Sequence, residues 1–128
     1  MRVLLDTHVL LWSFGEPDRI PTPVQEILRS AVNDLVWSAV GTTELAIKVA
    51  AGKLRMPMTL DAFLEDRRAE MDLEFLDIDH RHALRIATLP RIHKDPFDRL
   101  LIAQAMVEGI PLVTHDARLK SYGVEVIW

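Results

Sequence analysis

No cysteine occurs in the 128 residues, which excludes a disulfide framework and a thiolate zinc site. No apolar run reaches the roughly 18 residues a bilayer span requires, because a charged or polar residue interrupts each one. A secretory leader is missing too, since Asp6 arrives too early for its apolar stretch to form. The expected compartment is therefore the cytoplasm. The chain has no internal repeat, no low-complexity tract and no Pro/Gly/Ser linker. Its length suits a single domain, residues 1–128, with one core. Nor is basic charge in excess. The formal net charge is −4, from 15 basic and 19 acidic residues, and taken alone this argues against a nucleic-acid binder.

The distribution of charge changes that reading. Residues 61–79 hold eight acids against Arg67 and Arg68, a local −6, and this run reads most simply as a solvated helix face. The rest of the chain carries 13 bases against 11 acids, or +2.

Short branched or aromatic runs alternate with helical periods. Arg2–Leu5, Leu35–Trp37, Leu73–Ile78, Leu112–Thr114 and Val124–Trp128 read as strands bounded by breakers. Between them, Thr22-Pro23-Val24-Gln25 has the form of a Thr-capped helix start with Pro at its first position. Leu60, Phe63, Leu64 and Met71 form an apolar stripe. Asp79 is suited to cap a helix through Leu89, and Asp95-Pro96 opens another that Gly109 and Pro111 stop near Glu108. Strands alternating with helices predict an α/β fold: a three-layer α/β/α sandwich around a short, mainly parallel sheet. In such folds, sites gather beyond the carboxyl ends of the strands.

Four acids are placed there. Asp6 follows the first strand and Asp116 follows the strand ending at Thr114. Glu44 falls about two turns into the helix after Trp37, and Asp98 lies in the first turn after Asp95-Pro96. Each has an ordinary structural role open to it. Asp6 and Asp116 can cap helices or turns, Glu44 can pair with Lys48 at i, i+4, and Asp98 can complete a capping box with Asp95. Against this, segments 45–51 and 100–107 are nearly all apolar, which predicts buried helices. A carboxylate on such a helix must protonate or meet a cation. Thiol-free, all-carboxylate ligation suits Mg²⁺ or Mn²⁺, and such ions assist hydrolytic phosphoryl chemistry. With the four acids neutralised, the chain outside 61–79 carries 13 bases against 7 acids, or +6.

In this order the blocks resemble the PIN-domain family. Leu4-Leu5-Asp6-Thr7-His8-Val9-Leu10-Leu11-Trp12 is similar to its opening. Ser38-Ala39-Val40, with Glu44-Leu45-Ala46-Ile47-Lys48 and Gly52-Lys53-Leu54, is similar to its second block. His93 to Ala105 and Leu112-Val113-Thr114-His115-Asp116 resemble the third and fourth. The likeness covers essentially the whole chain and is closest to the single-domain VapC-type toxins of bacterial type II toxin–antitoxin pairs. It implies a Mg²⁺- or Mn²⁺-dependent endoribonuclease that hydrolyses RNA, usually as a homodimer, and is silenced by a small cognate antitoxin. Asp6, Glu44, Asp98 and Asp116 would be its catalytic and metal-holding quartet, and Thr114 its hydroxyl residue before the last acid. One departure stands out: relatives with this opening often carry a bulky aromatic just before the glutamate, where this chain has Gly41-Thr42-Thr43.

Other residues have weaker claims. His80 and His82 point to different faces of a helix and lack a third partner at suggestive spacing, so zinc is set aside. His8, His93 and His115 are expected near the site, as solvated residues or as phosphate contacts. Arg99 is the leading phosphate-contact candidate, with an ion pair as its structural alternative. Trp12, Phe14, Met56 and Met58 are candidates for an apolar patch that receives an antitoxin helix, or for core packing. A phosphoacceptor receiver domain would want a pair of acids after the first strand, where only Asp6 stands. A haloacid-dehalogenase-type phosphatase would want Asp-x-Asp, but the third residue is His8. A non-catalytic PIN-type binding module is the other alternative.

Overall fold

Val3, Leu4 and Leu5 are almost wholly buried, so the first strand must be covered on both faces. In the computed structural model, which describes residues 1–128, that strand is the middle one of five. The strands are β1 (Arg2–Leu5), β2 (Asp34–Ser38), β3 (Glu74–Leu76), β4 (Leu112–Val113) and β5 (Val126–Ile127). They lie in the order β3-β2-β1-β4-β5, and every pairing is parallel.

Parallel neighbours require long crossovers, and the helices supply them. Helices α1 (Thr7–Gly15) and α2 (Thr22–Arg29) join β1 to β2, and α3 (Ala39–Ala50) and α4 (Leu60–Met71) join β2 to β3. Helices α5 (His80–Arg85) and α6 (Pro96–Glu108) lead to β4, and a 3₁₀ segment, Ala117–Tyr122, leads to β5. The period-two alternation of the strands sorts their side chains between two cores. Val3, Leu5, Leu35, Trp37 and Val113 pack with Val9, Leu10, Val24 and Phe63 of α1, α2 and α4. Leu4, Val36 and Leu112 pack with Leu101, Ile102 and Ala105 of α6 and with Leu119 and Tyr122. This is the expected three-layer sandwich, with a sheet that is wholly parallel.

Several sequence expectations shift. Thr22 does not cap α2. It is the first helical residue, Pro21 precedes it at the cap, and no side chain caps the start. Gln25 turns back instead and donates to the carbonyls of Ile20 (2.7 Å) and Pro17 (2.9 Å), tying down the preceding 3₁₀ turn. The third strand starts only at Glu74, because Asp72 takes a left-handed φ of 52° and the Leu73 N–H bonds back to the Arg68 carbonyl. The fifth shrinks to two residues. Segment 100–107 is buried as expected from Leu101 to Ala105, but segment 45–51 is not. Helix α3 buries only Val40, Gly41 and Leu45, leaving Ile47 52% and Val49 38% exposed.

The Gly41 departure has a packing explanation. The Trp37 indole, 1% exposed, lies against the α3 backbone at Gly41. A Cβ there would fall 2.6 Å from Trp37 Cζ2. The indole Nε1 donates to Thr42 Oγ1 at 2.9 Å, so the next residue fixes the ring.

Candidate active site

Register alone brings the first acid to the last. Leu5 pairs with Val113, so the residues that follow these strands, Asp6 and Thr114, lie side by side at the carboxyl edge. Strands β2 and β3 extend the sheet to one side of β1, and β4 and β5 to the other. The β1/β4 boundary is therefore the switch point where such sheets bind ligands.

Asp6 caps α1 and is 6% exposed. One carboxylate oxygen accepts the Thr7 N–H at 2.6 Å and the other accepts the Thr114 hydroxyl at 2.8 Å. No Lys, Arg or His forms a salt bridge with it. Burial pushes its pKa above the ordinary carboxylate value, and the Glu44 charge adds to this. The Thr114 hydrogen bond, the His8 charge and the Thr7 N–H pull the other way.

The other three acids each carry a base of their own. Glu44 accepts the Thr7 hydroxyl at 2.9 Å and pairs with Lys48 at 2.8 Å, so Thr7 links the Asp6 and Glu44 segments. Asp98 lies 3.1 Å from His93 Nε2, while His93 Nδ1 faces the Tyr122 hydroxyl at 2.5 Å. Burial raises the Asp98 pKa, the His93 hydrogen bond opposes it, and the Asp95 and Asp6 charges raise it further. Asp116 is held by Arg118 at 2.7 Å, which lowers its pKa; the smaller effect of burial acts against this.

The cations that the apolar surroundings of Glu44 and Asp98 demand are thus supplied in part by the chain itself. Of the four acids, Asp6 alone forms no salt bridge. A buried carboxylate with no salt-bridge partner, close to two imidazole nitrogens, is a donor set that fits a divalent ion. Asp6, His8 and His115 also bring one ligand atom each within 4.8 Å of one another, which adds two nitrogen donors to the same edge. Glu44, Asp98 and Asp116 are not part of that group, so the four acids do not form one such cluster.

Arg99 is not brought to the acids. It donates to the Pro90 carbonyl at 2.8 Å and to the Tyr122 hydroxyl at 3.3 Å. Adjacent helical residues project about 100° apart, so with Asp98 facing the site Arg99 faces the Ala117–Tyr122 segment. Thr114 is fully buried, and its hydroxyl also accepts the Asp116 N–H at 3.1 Å, so it fixes two acids at once. His8 and His115 do reach the edge, and His93 reaches Asp98. Tyr122 and Thr7, unremarked in sequence, position His93 and Glu44; their separation from those partners along the chain hid them. Trp12, Met56 and Met58 pack, partly buried, against the same core, the structural alternative raised for them. Phe14 is exposed and meets Phe63 edge to face at 5.4 Å, and Trp12 also contacts the His8 ring.

A five-stranded, all-parallel sheet flanked by helices, with buried Asp6 at its switch point, defines a PIN-like α/β domain. The PIN-domain family pattern matches residues 3–125. Ribonuclease VapC22 of Mycobacterium tuberculosis is 30% identical over 121 residues, covering 94% of this chain and 91% of that one. Among solved structures, VapBC2 from Rickettsia felis, bound to a promoter DNA fragment, aligns with a TM-score of 0.76 at 17% identity, over 99% of this chain and 98% of that one. VapBC-5 from Mycobacterium tuberculosis, of the VapBC family of toxin–antitoxin systems, aligns with a TM-score of 0.61 at 22% identity, over 98% and 97%. This chain belongs to the PIN-domain family, in its VapC group.

Proposed function

We propose that the protein is a divalent-metal-dependent endoribonuclease, the toxin of a toxin–antitoxin pair, with Asp6, Glu44, Asp98 and Asp116 holding Mg²⁺ or Mn²⁺ against RNA. The observation that carries this reading is Asp6: a buried carboxylate without a basic partner at the sheet's switch point, with Glu44 joined to it through Thr7. The VapC22 relationship supports the ribonuclease assignment. When bound, the ion supplies a water of lowered pKa and neutralises phosphate charge. The chain does the rest. Thr114 and the Thr7 N–H hold the Asp6 carboxylate in one orientation, which a ligand in a preorganised site requires. Tyr122 and His93 fix Asp98 in the same way. Lys48 and Arg118 balance Glu44 and Asp116 and supply positive charge beside an incoming phosphate. A small antitoxin, a homodimeric state and a cytoplasmic site of action complete the reading; no helix is long and apolar enough to cross a membrane.

The direct test is cleavage of single-stranded RNA by purified protein free of antitoxin. Mn²⁺ or Mg²⁺ supports cleavage, EDTA abolishes it, and Asp6→Asn removes it while leaving the fold intact. A folded wild type that cuts no RNA with either metal overturns the nuclease reading in favour of a non-catalytic binding module.

A further inference from the structure

A row of aromatic rings at the carboxyl edge has no part in the chemistry described above. Register again explains its position. Val113 pairs with Ile127, and the Thr114 N–H bonds to the Ile127 carbonyl at 3.2 Å, so Trp128 emerges beside the segment carrying Thr114 and His115. The Trp12 ring, one turn after His8 on α1, lies between these groups. Its centroid is 5.6 Å from that of His8, 4.9 Å from that of His115 and 5.9 Å from that of Trp128. His8 and His115 meet edge to face at 5.1 Å. The Arg19 guanidinium lies over Trp12 at 4.2 Å.

Trp12 is seated on the core, which anchors the cluster, but the outer members are open. Trp128 is 40% exposed and His115 is exposed. Rings serving only to fill a core would be buried. This cluster instead adjoins Asp6, because the His8 and His115 ring nitrogens are the ones that come within 4.8 Å of its carboxylate and of each other. An exposed indole beside a phosphate-directed site, with Arg19 over the neighbouring Trp12, matches how proteins hold unpaired nucleotides: bases stack on rings and cations follow the backbone.

From this we infer that the exposed Trp128 ring, backed at steep angles by His115 and Trp12, is a stacking platform for an unpaired nucleobase next to the scissile phosphate. The inference rests on the nuclease reading and deepens it. A paired base is already stacked in its own helix and cannot reach the platform. Stacking on a ring reads no base edge, so the contact tolerates all four bases.

The test compares Trp128→Leu and Trp128→Phe with the wild type on a ten-nucleotide single-stranded RNA containing all four bases. The same strand with one abasic ribose, placed in turn on either side of the cleaved phosphate, provides the second arm. Trp128→Leu raises KM by about 5- to 150-fold, the range for one lost stacking contact, with kcat little changed. Trp128→Phe keeps most of the affinity. An abasic ribose at one flanking position produces the same loss in wild type and no further loss in Trp128→Leu. Melting curves establish that both variants fold. Unchanged KM in Trp128→Leu, or losses that multiply with the abasic strand, overturns the platform and leaves the rings as a packing or protein-docking cluster. Binding of the oligonucleotide, followed by quenching of Trp128 fluorescence against the Trp128→Leu control, is read even if nothing is cut. Quenching without cleavage separates failure of the nuclease reading from failure of the platform.

Discussion

Gly41→Ala places a methyl group on the helix that carries Glu44, and its cost follows from the geometry. The added Cβ would lie 2.6 Å from Trp37 Cζ2 and 3.0 Å from Cζ3, well inside ordinary contact. The indole cannot easily retreat, being 1% exposed and held through Nε1 by Thr42. Replacing glycine by alanine within a helix gains about 1 kcal/mol in propensity. Overpacking of a tight core costs about 1–3 kcal/mol, and an approach this close belongs in the upper half of that range. The net expectation is a loss of about 1–2 kcal/mol, or about 3–10 °C in Tm for a chain of this length. Thermal unfolding in EDTA, followed by circular dichroism, measures it. The second arm is Trp37→Phe, which removes the ring carbons that clash. In that background Gly41→Ala becomes neutral or stabilising, because only the propensity gain remains. A rise in Tm for Gly41→Ala alone, or a cost unchanged by Trp37→Phe, refutes the argument. Glu44 lies one turn beyond Gly41, so cleavage by Gly41→Ala also falls, and recovers in the double variant.

Three further outcomes are expected. Asp6→Asn stabilises the metal-free protein, because burial raises the Asp6 pKa in the fold and ionisation there weakens it. The gain is absent below the ordinary carboxylate range, where wild-type Asp6 is protonated folded or unfolded, and is complete once pH passes the raised folded value. The gain shows in melts across that pH range, and a loss at every pH would mean that the two hydrogen bonds to Asp6 outweigh its burial. Arg118→Ala frees the Asp116 carboxylate and tightens Mn²⁺ binding by calorimetry, with Tm little changed because the Arg118 side chain is 67% exposed; unaltered affinity would exclude Asp116 from the metal-holding set. His82→Ala costs about 3 kcal/mol in urea unfolding, since this fully buried ring accepts the Asp79 N–H and lies 3.3 Å from Glu108; a loss under 1 kcal/mol would show that water replaces those partners.

Much of this was legible in the residues. Strands β1 and β2 are continuous apolar runs, as strands covered on both faces must be, and α6 announces itself with Asp95-Pro96 at one end and Gly109 at the other. Asp6 and Thr114 could be placed at one edge because a parallel sheet sends all its strands the same way. What could not be read was governed by contacts remote in sequence. Apolar composition alone made 45–51 look like an interior helix, but which face of α3 has a neighbour depends on the sheet and on α1, α4 and α6. Gln25 abandons the expected capping box because the carbonyls of Pro17 and Ile20 come within its reach only when the preceding turn forms. Arg99 is diverted by Tyr122, 23 residues on. The meeting of His8 with His115 depends on the β1/β4 register, which no local pattern encodes.

The hydrogen bond between the Thr114 hydroxyl and Asp6 closes a loop of 108 positions. During synthesis at about 5–20 residues per second, roughly 5–20 s separate the making of its two ends. Until β4 inserts beside β1, Asp6 lacks the neighbour that orients it, and Asp116 does not yet exist. The order of the strands therefore delays assembly of the β1/β4 edge until translation has passed Thr114, so the switch point is the last part of the sheet's centre to be completed.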